Sequence, residues 1–241
     1  NYTMLAIPLF VFMGVLLEKS RLAERMLDVI GHLSGRKSGG MAIAIILVGI
    51  LMGASTGIVA ATVVTVGLIS LPTLLRRNYD KRVACGTICA SGTLGQIIPP
   101  SLVLILLSDI SGSSVGSLFA AALIPGLMLG GLYLLYIWAK ARLSPQSMPP
   151  IPQAERDAVP TGALLLDLLK VVLPPIALVF AVLGSIIGGV AAPTEAASMG
   201  ALGALLLVLL SGRFSLSVLR ETVYSTFKIT GMTLFLSLIH I

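Results

Sequence analysis

The segment Gly92–Ser101, GTLGQIIPPS, holds residue types that a membrane protein would use to bind an ion. Pro99 and Pro100 remove two backbone donors and keep the residue before each of them out of helical geometry. Gly92 and Gly95 let the backbone unwind. Carbonyl groups released in this way suit a cation, and the amides of the following half-helix suit an anion. The segment therefore predicts a broken helix with exposed backbone groups.

Neutral polar side chains accompany this predicted break. The surrounding apolar run contains no ionisable residue before Asp109, whereas a proton-coupled carrier usually carries one at membrane depth. Neutral oxygen atoms therefore favour sodium as the coupling ion. A proline kink without any binding site is the alternative, and it stays open for this motif alone. The candidate site residues around the break are Ser91, Gly92, Thr93, Gly95, Gln96, Pro99, Pro100 and Ser101.

A second group of small and hydroxylated residues, GASTG, lies in the middle of an uncharged run over residues 41–75. Basic residues flank this run on both sides, so both flanks are predicted to be cytoplasmic. Two full spans and a turn would need about 40 residues or more, so the run predicts a re-entrant hairpin. A GxxxG helix-packing face is the alternative for its glycines. The predicted hairpin tip contains Gly53, Ser55, Thr56 and Gly57.

The composition indicates an all-α integral membrane protein. Of the 241 residues, 56% are hydrophobic and 11% are charged, against about 25% charged residues in soluble domains. The mean hydropathy is +1.03. The 16 lysines and arginines fall mostly in short connectors, as in cytoplasmic loops, and form no basic face with stacking aromatics, which excludes nucleic-acid binding. Cys85 and Cys89 lie one helical turn apart and imply neither a disulfide nor a metal site.

The apolar runs place both motifs in a multi-span chain. A partial span and an amphipathic interfacial helix, with Leu22, Met26 and Ile30 on its apolar side, precede the hairpin. A Pro-rich polar linker divides the chain into two halves that begin alike. In the second half, the stretch from Ser215 to Lys228 resembles another amphipathic interfacial helix before a final span. The predicted organisation is a first half, 1–142, with hairpin 41–75, broken helix 83–107 and span 118–139, then linker 143–168 and second half 169–241.

Residues suited to catalysis are sparse. His32 and His240 are isolated, and no serine has a lysine or histidine within plausible reach, so the sequence predicts no enzymatic activity. Glu195 follows Pro193 and Thr194, which is typical of an ordinary helix start with an acid in its first turn.

Four blocks of sequence resemble one family of transporters. They are LMGASTGIVAATVVTVGLISLPTLLRRNYD, CASGTLGQIIPPSLVLIL, LFAAALIPGLMLG and GGVAAPTEAAS. Together they make the chain similar, over essentially its whole length, to the DctM-type large membrane subunit of tripartite ATP-independent periplasmic (TRAP) transporters.

The resemblance implies a sodium-driven elevator transporter of the bacterial inner membrane, with multiple spans. It also implies three partners: a periplasmic binding protein of DctP type, a small membrane subunit of DctQ type, and an organic acid or related small solute. In this family two inverted repeats each supply a re-entrant hairpin and a broken helix that hold sodium and border the substrate. By position, the first hairpin tip is Gly53–Gly57 and the first break is Gly92–Ser101.

The second hairpin and second break of the family would lie beyond Ile241. Both ends of the sequence also fall in apolar runs shorter than the about 20 residues of a span, so we expect the chain to be an internal part of a longer protein. Thr62 stands where many family members carry an aspartate, which resembles the branch labelled mannitol/chloroaromatic. A non-transporting scaffold subunit and a channel remain the alternatives, because broken helices also line pores.

Overall fold

The computed structural model describes residues 2–56, 59–152 and 161–239. All regular secondary structure in these ranges is helical, which confirms the predicted all-α class. Short 3₁₀ turns at Tyr2–Leu5, Leu94–Gln96 and Pro145–Ser147 accompany the α-helices. The α-helices are α1 (Ala6–Lys19), α2 (Leu22–Ser34), α3 (Gly40–Thr56), α4 (Val59–Arg76), α5 (Lys81–Thr93), α6 (Leu102–Ser111), α7 (Val115–Leu143), α8 (Thr161–Ile187), α9 (Pro193–Leu210) and α10 (Leu216–Ile239).

Three helices are long and apolar enough to cross a membrane. They are Val115–Leu143, the Leu166–Ile187 part of α8, and Pro193–Leu210. The apolar segments Gly40–Gly53, Thr62–Arg76 and Leu102–Ser111 are shorter than a span. Length and composition thus agree with a membrane protein, and the number of crossings stays a prediction.

The helix α2 is amphipathic, as its sequence pattern predicts. Leu22, Met26 and Ile30 recur at helical spacing and are all buried. They pack against α3 and α8. Arg213, in the turn before α10, donates hydrogen bonds of 3.1 Å to the carbonyl oxygens of Ser20 and Arg21, and thereby fixes the turn between α1 and α2.

The two predicted halves of the chain interlock. The helix α1 packs most extensively against α9 and α10, although these belong to the opposite half of the sequence. Its buried residues share one core cluster with α6, α8 and α9, whereas α2, α3 and α5 contribute to a second cluster. The assignment of the halves to two repeats stays a prediction.

Two segments differ from their predicted boundaries. The helix α8 begins at Thr161, inside the predicted linker, because Leu164 and Val171 continue its buried face. Residues 153–160 of the linker lie outside the described ranges. The helix α10 is continuous through Lys228, although the sequence suggested an interfacial stretch followed by a separate span. No glycine or proline falls between Leu216 and Thr230 to end the helix there.

Candidate functional site

The helix is interrupted at the predicted place. The helix α5 ends at Thr93 and tightens into the 3₁₀ turn Leu94–Gln96. Residues 97–101 are not helical, and the peptide bond between Pro99 and Pro100 is cis. The helix α6 begins at Leu102, because the two prolines cannot donate to the preceding turn.

Several backbone carbonyl groups at this break lack partners among the described residues. The carbonyl groups of residues 97–100 accept no hydrogen bond from any other part of the chain that the structure describes. The first backbone hydrogen bond of α6 runs from the amide of Ile105 to the carbonyl oxygen of Ser101, at 3.2 Å. Pro99 and Pro100 are buried. The negative end of one half-helix and the positive end of the next therefore meet in a buried place.

The helices α3 and α4 run antiparallel to each other and both pack against α5 and the 3₁₀ turn that follows it. On α3, Gly49 faces Ser91 and Gly53 faces Gly95, so α3 runs in the direction of α5. On α4, Val63 faces Gly92 and Gly67 faces Ile88, so α4 runs in the opposite direction. The two helices are separated only by residues 57–58, which lie outside the described ranges. The helices α3 and α4 are thus antiparallel neighbours, and the re-entrant hairpin stays a prediction.

The contact between Gly53 and Gly95 is made by backbone atoms. A β-carbon placed on Gly53 would overlap the α-carbon of Gly95 and lie 2.6 Å from its nitrogen. A β-carbon on Gly95 would lie 3.0 Å from the carbonyl carbon and oxygen of Gly53. Only glycine at both positions allows the hairpin tip to reach the break this closely.

The open ends of the hairpin are tied together by the segment after α7, residues 145–151. The amide of Gly39, just before α3, donates to the carbonyl oxygen of Met148 at 3.1 Å. The amide of Asp80, just after α4, donates to the carbonyl oxygen of Ser147 at 2.9 Å. The two open ends of the hairpin therefore lie close to the same segment, and their cytoplasmic location stays a prediction.

The helix α7 closes the break from another side. A β-carbon on Gly126 would lie 2.9 Å from the side chain of Ile98 and 3.3 Å from that of Ile97. Sequence reasoning did not assign Gly126 to the site. Its only signal was a small residue in the block LFAAALIPGLMLG, which could not reveal the partner.

The predicted polar residues are placed differently around the break. Ser91 is buried and donates to the carbonyl oxygen of Ile88 at 2.9 Å. Thr93 is exposed and donates to that of Ala90 at 2.8 Å. Each hydroxyl oxygen keeps acceptor capacity for a cation. Gln96 is exposed.

Ser101 is the exception among these hydroxyls. Its side chain is fully buried and has no hydrogen-bond partner among the described residues. It occupies the N-cap position of α6 without capping the helix. A buried hydroxyl without a partner is costly, so this position suits a bound polar group.

Some predicted tip residues fall outside the described part of the chain. Gly57 lies outside the described residues, as do the side chains of Ser55 and Thr56. Thr62, at the position where the family often carries an aspartate, is fully buried in α4.

The hairpin contacts the carboxylate of Glu18, which belongs to a different helix. The hydroxyl of Thr65, on α4, donates a 2.7 Å hydrogen bond to Oε1 of Glu18, at the end of α1. The sequence placed no acid within the hairpin, and this contact between distant segments had no sequence signal. Within the described ranges, no three His, Cys, Asp or Glu side chains are grouped to hold a metal ion.

Glu195 lies at the start of one helix, and the two cysteines lie on another. The carboxylate of Glu195 accepts a 2.9 Å hydrogen bond from the amide of Ala192 at the start of α9, which confirms a helix start. Cys85 and Cys89 are free, exposed thiols on α5.

Tyr79 is a buried titratable residue beside the hairpin's open end. Its side chain is 4% exposed. Burial raises the pKa of the Tyr79 phenol to about 12, because the interior disfavours the phenolate.

The chain matches a family model and several known permeases. The model describes the DctM component of the tripartite ATP-independent periplasmic transporter and matches residues 1–238. The chain is 34% identical, over 98% of its length and 54% of the relative's, to the C4-dicarboxylate TRAP transporter large permease protein of Pseudomonas aeruginosa.

Two further relatives have similar sequence identity to the chain. The C4-dicarboxylate TRAP transporter large permease protein of Vibrio cholerae is 33% identical over 83% of the chain and 43% of that protein. The ectoine TRAP transporter large permease protein of Halomonas elongata is 31% identical over 95% of the chain and 51% of that protein. The chain spans about half the length of these relatives.

The match over nearly the whole chain agrees with the helical hairpin, the broken helix and the apolar spans. The chain belongs to the DctM family, the large permease component of TRAP transporters.

Proposed function

We propose that the protein is the large membrane subunit of a sodium-coupled secondary transporter of the bacterial inner membrane. It would import an organic acid or a related small solute. The contact between Gly53 and Gly95 is the observation that carries the proposal. It joins the hairpin tip to a segment whose carbonyl groups lack partners among the described residues. Unwound backbone carbonyls at helix breaks are typical sodium ligands in secondary transporters.

Sodium would bind between the hairpin tip and the break. The carbonyl groups of residues 97–100 would supply most of its ligands, because the sequence between Asp80 and Asp109 contains no acidic residue. The hydroxyl of Thr93, and those of Ser55 and Thr56 on the tip, would add neutral oxygens. The backbone at Gly92, Gly95 and Pro99 would keep the segment unwound.

The solute would bind beside this ion. Ser101 offers a buried hydroxyl at the start of α6, where backbone amides favour an anionic group. Ser91, Gln96 and Pro100 border the same segment. The relatives are named for C4-dicarboxylates, 2,3-diketo-L-gulonate and ectoine, which are small polar solutes. An organic acid is therefore the solute class that we propose.

The proposed partners follow from the family. A periplasmic binding protein of DctP type would deliver the solute, and a small membrane subunit of DctQ type would brace the permease. One relative is named as an isethionate TRAP transporter permease protein DctMQ.

Uptake by proteoliposomes tests this function. The intact permease would be reconstituted with its small subunit, and the binding protein with labelled solute would be added outside. The amount of solute inside the proteoliposomes would be measured under an inward sodium gradient. We expect saturable accumulation above the equilibrium level. Equilibration without accumulation would indicate a channel, and no uptake in the presence of all components would indicate a scaffold subunit. Equal accumulation under a potassium gradient would contradict sodium coupling.

A further inference from the structure

A basic groove lies where α2, α3 and α7 meet, away from the break. Its volume is about 620 Å³. The groove combines cationic and apolar side chains at one end of a candidate membrane span. The lining residues on which the inference depends are Leu33, Arg36, Lys37, Ile43, Trp138 and Arg142.

The charges in the groove have one sign. Arg36, Lys37 and Arg142 are cationic, and no acidic residue is among the described side chains that line it. Gly40, the first residue of α3, also lines the groove, and the start of a helix carries partial positive charge. The groove is therefore complementary to an anion.

The cations are brought together by the fold before any ligand binds. The amide of Ile151 donates to the carbonyl oxygen of Gly35 at 2.8 Å, and the hydroxyl of Ser38 donates to that of Met148 at 2.7 Å. These bonds attach the turn that carries Arg36 and Lys37 to the segment that follows Arg142. An anion would find the site already formed, which lowers the entropic cost of binding.

Trp138 sets the depth of the groove relative to a membrane. The guanidinium of Arg142 lies 5.0 Å from the centre of the Trp138 ring, within the range of a cation–π contact. Tryptophan near the end of a span prefers the headgroup region of the bilayer. Leu33 and Ile43 place apolar surface beside the cations. A phospholipid would satisfy both surfaces, whereas free phosphate would satisfy only the charges.

We propose that the basic groove binds the phosphate headgroup of an anionic phospholipid from the cytoplasmic leaflet. The phosphate would lie between Lys37 and Arg142, and an acyl chain would follow Leu33 and Ile43. Each basic residue near an anionic surface contributes about 1 kcal/mol, which corresponds to roughly fivefold in affinity. The groove should therefore prefer phosphatidylglycerol to phosphatidylcholine.

Quenching of Trp138 fluorescence tests this preference directly. Trp138 is the only tryptophan in these 241 residues. The intact permease, in a form where Trp138 is the single tryptophan, would be reconstituted with phosphatidylglycerol or phosphatidylcholine that carries brominated acyl chains. We expect phosphatidylglycerol to quench at a mole fraction lower by about fivefold or more. Equal quenching by the two lipids would overturn the proposal without any variant.

Matched variants test whether the preference for phosphatidylglycerol arises in the basic groove. Arg36→Gln/Lys37→Gln leaves the pair of Trp138 and Arg142 intact and should reduce the preference by about fivefold or more. Arg36→Lys/Lys37→Arg keeps both charges and should retain the preference, which separates charge loss from misfolding.

Arg76→Gln/Lys81→Gln removes the same charge from exposed positions outside the groove and should change nothing. An equal loss of the preference for phosphatidylglycerol in this control would overturn the assignment of lipid binding to the basic groove. Displacement of the lipid by millimolar inorganic phosphate would overturn the lipid as the ligand.

Discussion

Gly53 and Gly95 meet backbone to backbone, with no room for a side chain on either residue. This contact joins the middle of an apolar hairpin to the point where the next helix breaks. It explains why small residues occur in both motifs, since either side chain would separate the two backbones. A GxxxG packing face and a binding site are not exclusive here, because the close packing brings the two candidate segments together.

Gly95→Ala should therefore destabilise the protein and impair transport. The added methyl group would overlap Gly53, and overpacking of this kind costs about 1–3 kcal/mol. Thermal unfolding in detergent and sodium-driven uptake would measure the two effects. Gly86→Ala, on the adjoining α5, is the matched control, because a β-carbon there has no neighbour within 4 Å. Equal unfolding temperatures and equal uptake for the two variants would contradict the contact between Gly53 and Gly95.

Ser101→Ala separates a ligand-binding role from a structural one. The hydroxyl has no partner within the part of the chain that the structure describes, so its removal should leave the ligand-free protein unchanged or more stable by about 1 kcal/mol. Stabilisation by sodium or solute, measured as a shift in Tm, should decrease. Ser185→Ala removes a hydroxyl that donates to Val182 at 2.8 Å, and should leave the ligand-induced shift intact. An undiminished shift in Ser101→Ala would exclude Ser101 from the site.

The hydrogen bond between Thr65 and Glu18 should couple α4 to α1 energetically. Both residues are partly buried, so a coupling of about 1 kcal/mol is expected from a double-mutant cycle with Thr65→Val and Glu18→Ala. Thr65→Ser keeps the hydroxyl and should retain most of the stability. Additive effects of Thr65→Val and Glu18→Ala would show that the contact contributes nothing.

Tyr79 should make the stability fall at high pH. Its pKa is about 12 in the folded protein, against 10.0 for an ordinary tyrosine, so the unfolded chain loses the proton first. The stabilisation is complete below about pH 10 and is lost as the pH rises toward 12, with a total on the order of 2–3 kcal/mol. Denaturant unfolding at several pH values would measure this loss.

Two tyrosine variants complete the test. Tyr79→Phe should lose less stability than the parent protein between pH 10 and 12, because it has no phenol to ionise. Tyr136→Phe, at an exposed position, should keep the parent profile. Identical profiles for the parent protein and Tyr79→Phe would contradict the raised pKa.

The proline pairs illustrate how far the sequence alone predicts this fold. Pro99–Pro100 ends a helix, as predicted, whereas Pro174–Pro175 lies inside the continuous helix α8. The first pair follows Gly92 and Gly95, which loosen the preceding turn, while no glycine occurs between Ala163 and Pro174. In this protein, the proline pair that follows two glycines interrupts its helix, and the pair without preceding glycines does not.

Contacts between distant segments could not be predicted in this way. Hydropathy and glycine patterns are local, so they could predict a hairpin and locate the helix break. They could not show that Gly126 packs on Ile98, or that Glu18 reaches Thr65. Such pairings depend on how α1 and α7 pack around the hairpin, which no short sequence pattern records.

Sodium-driven uptake by the intact permease carrying Pro99→Ala/Pro100→Ala tests the central claim most directly. Alanines should let α5 and α6 join, so that the carbonyl groups of residues 97–100 pair within a helix and sodium-dependent accumulation is lost. Pro174→Ala/Pro175→Ala is the control and should transport normally, because that helix is already continuous. Normal sodium-driven accumulation by the Pro99→Ala/Pro100→Ala protein would contradict the assignment of the site to this break.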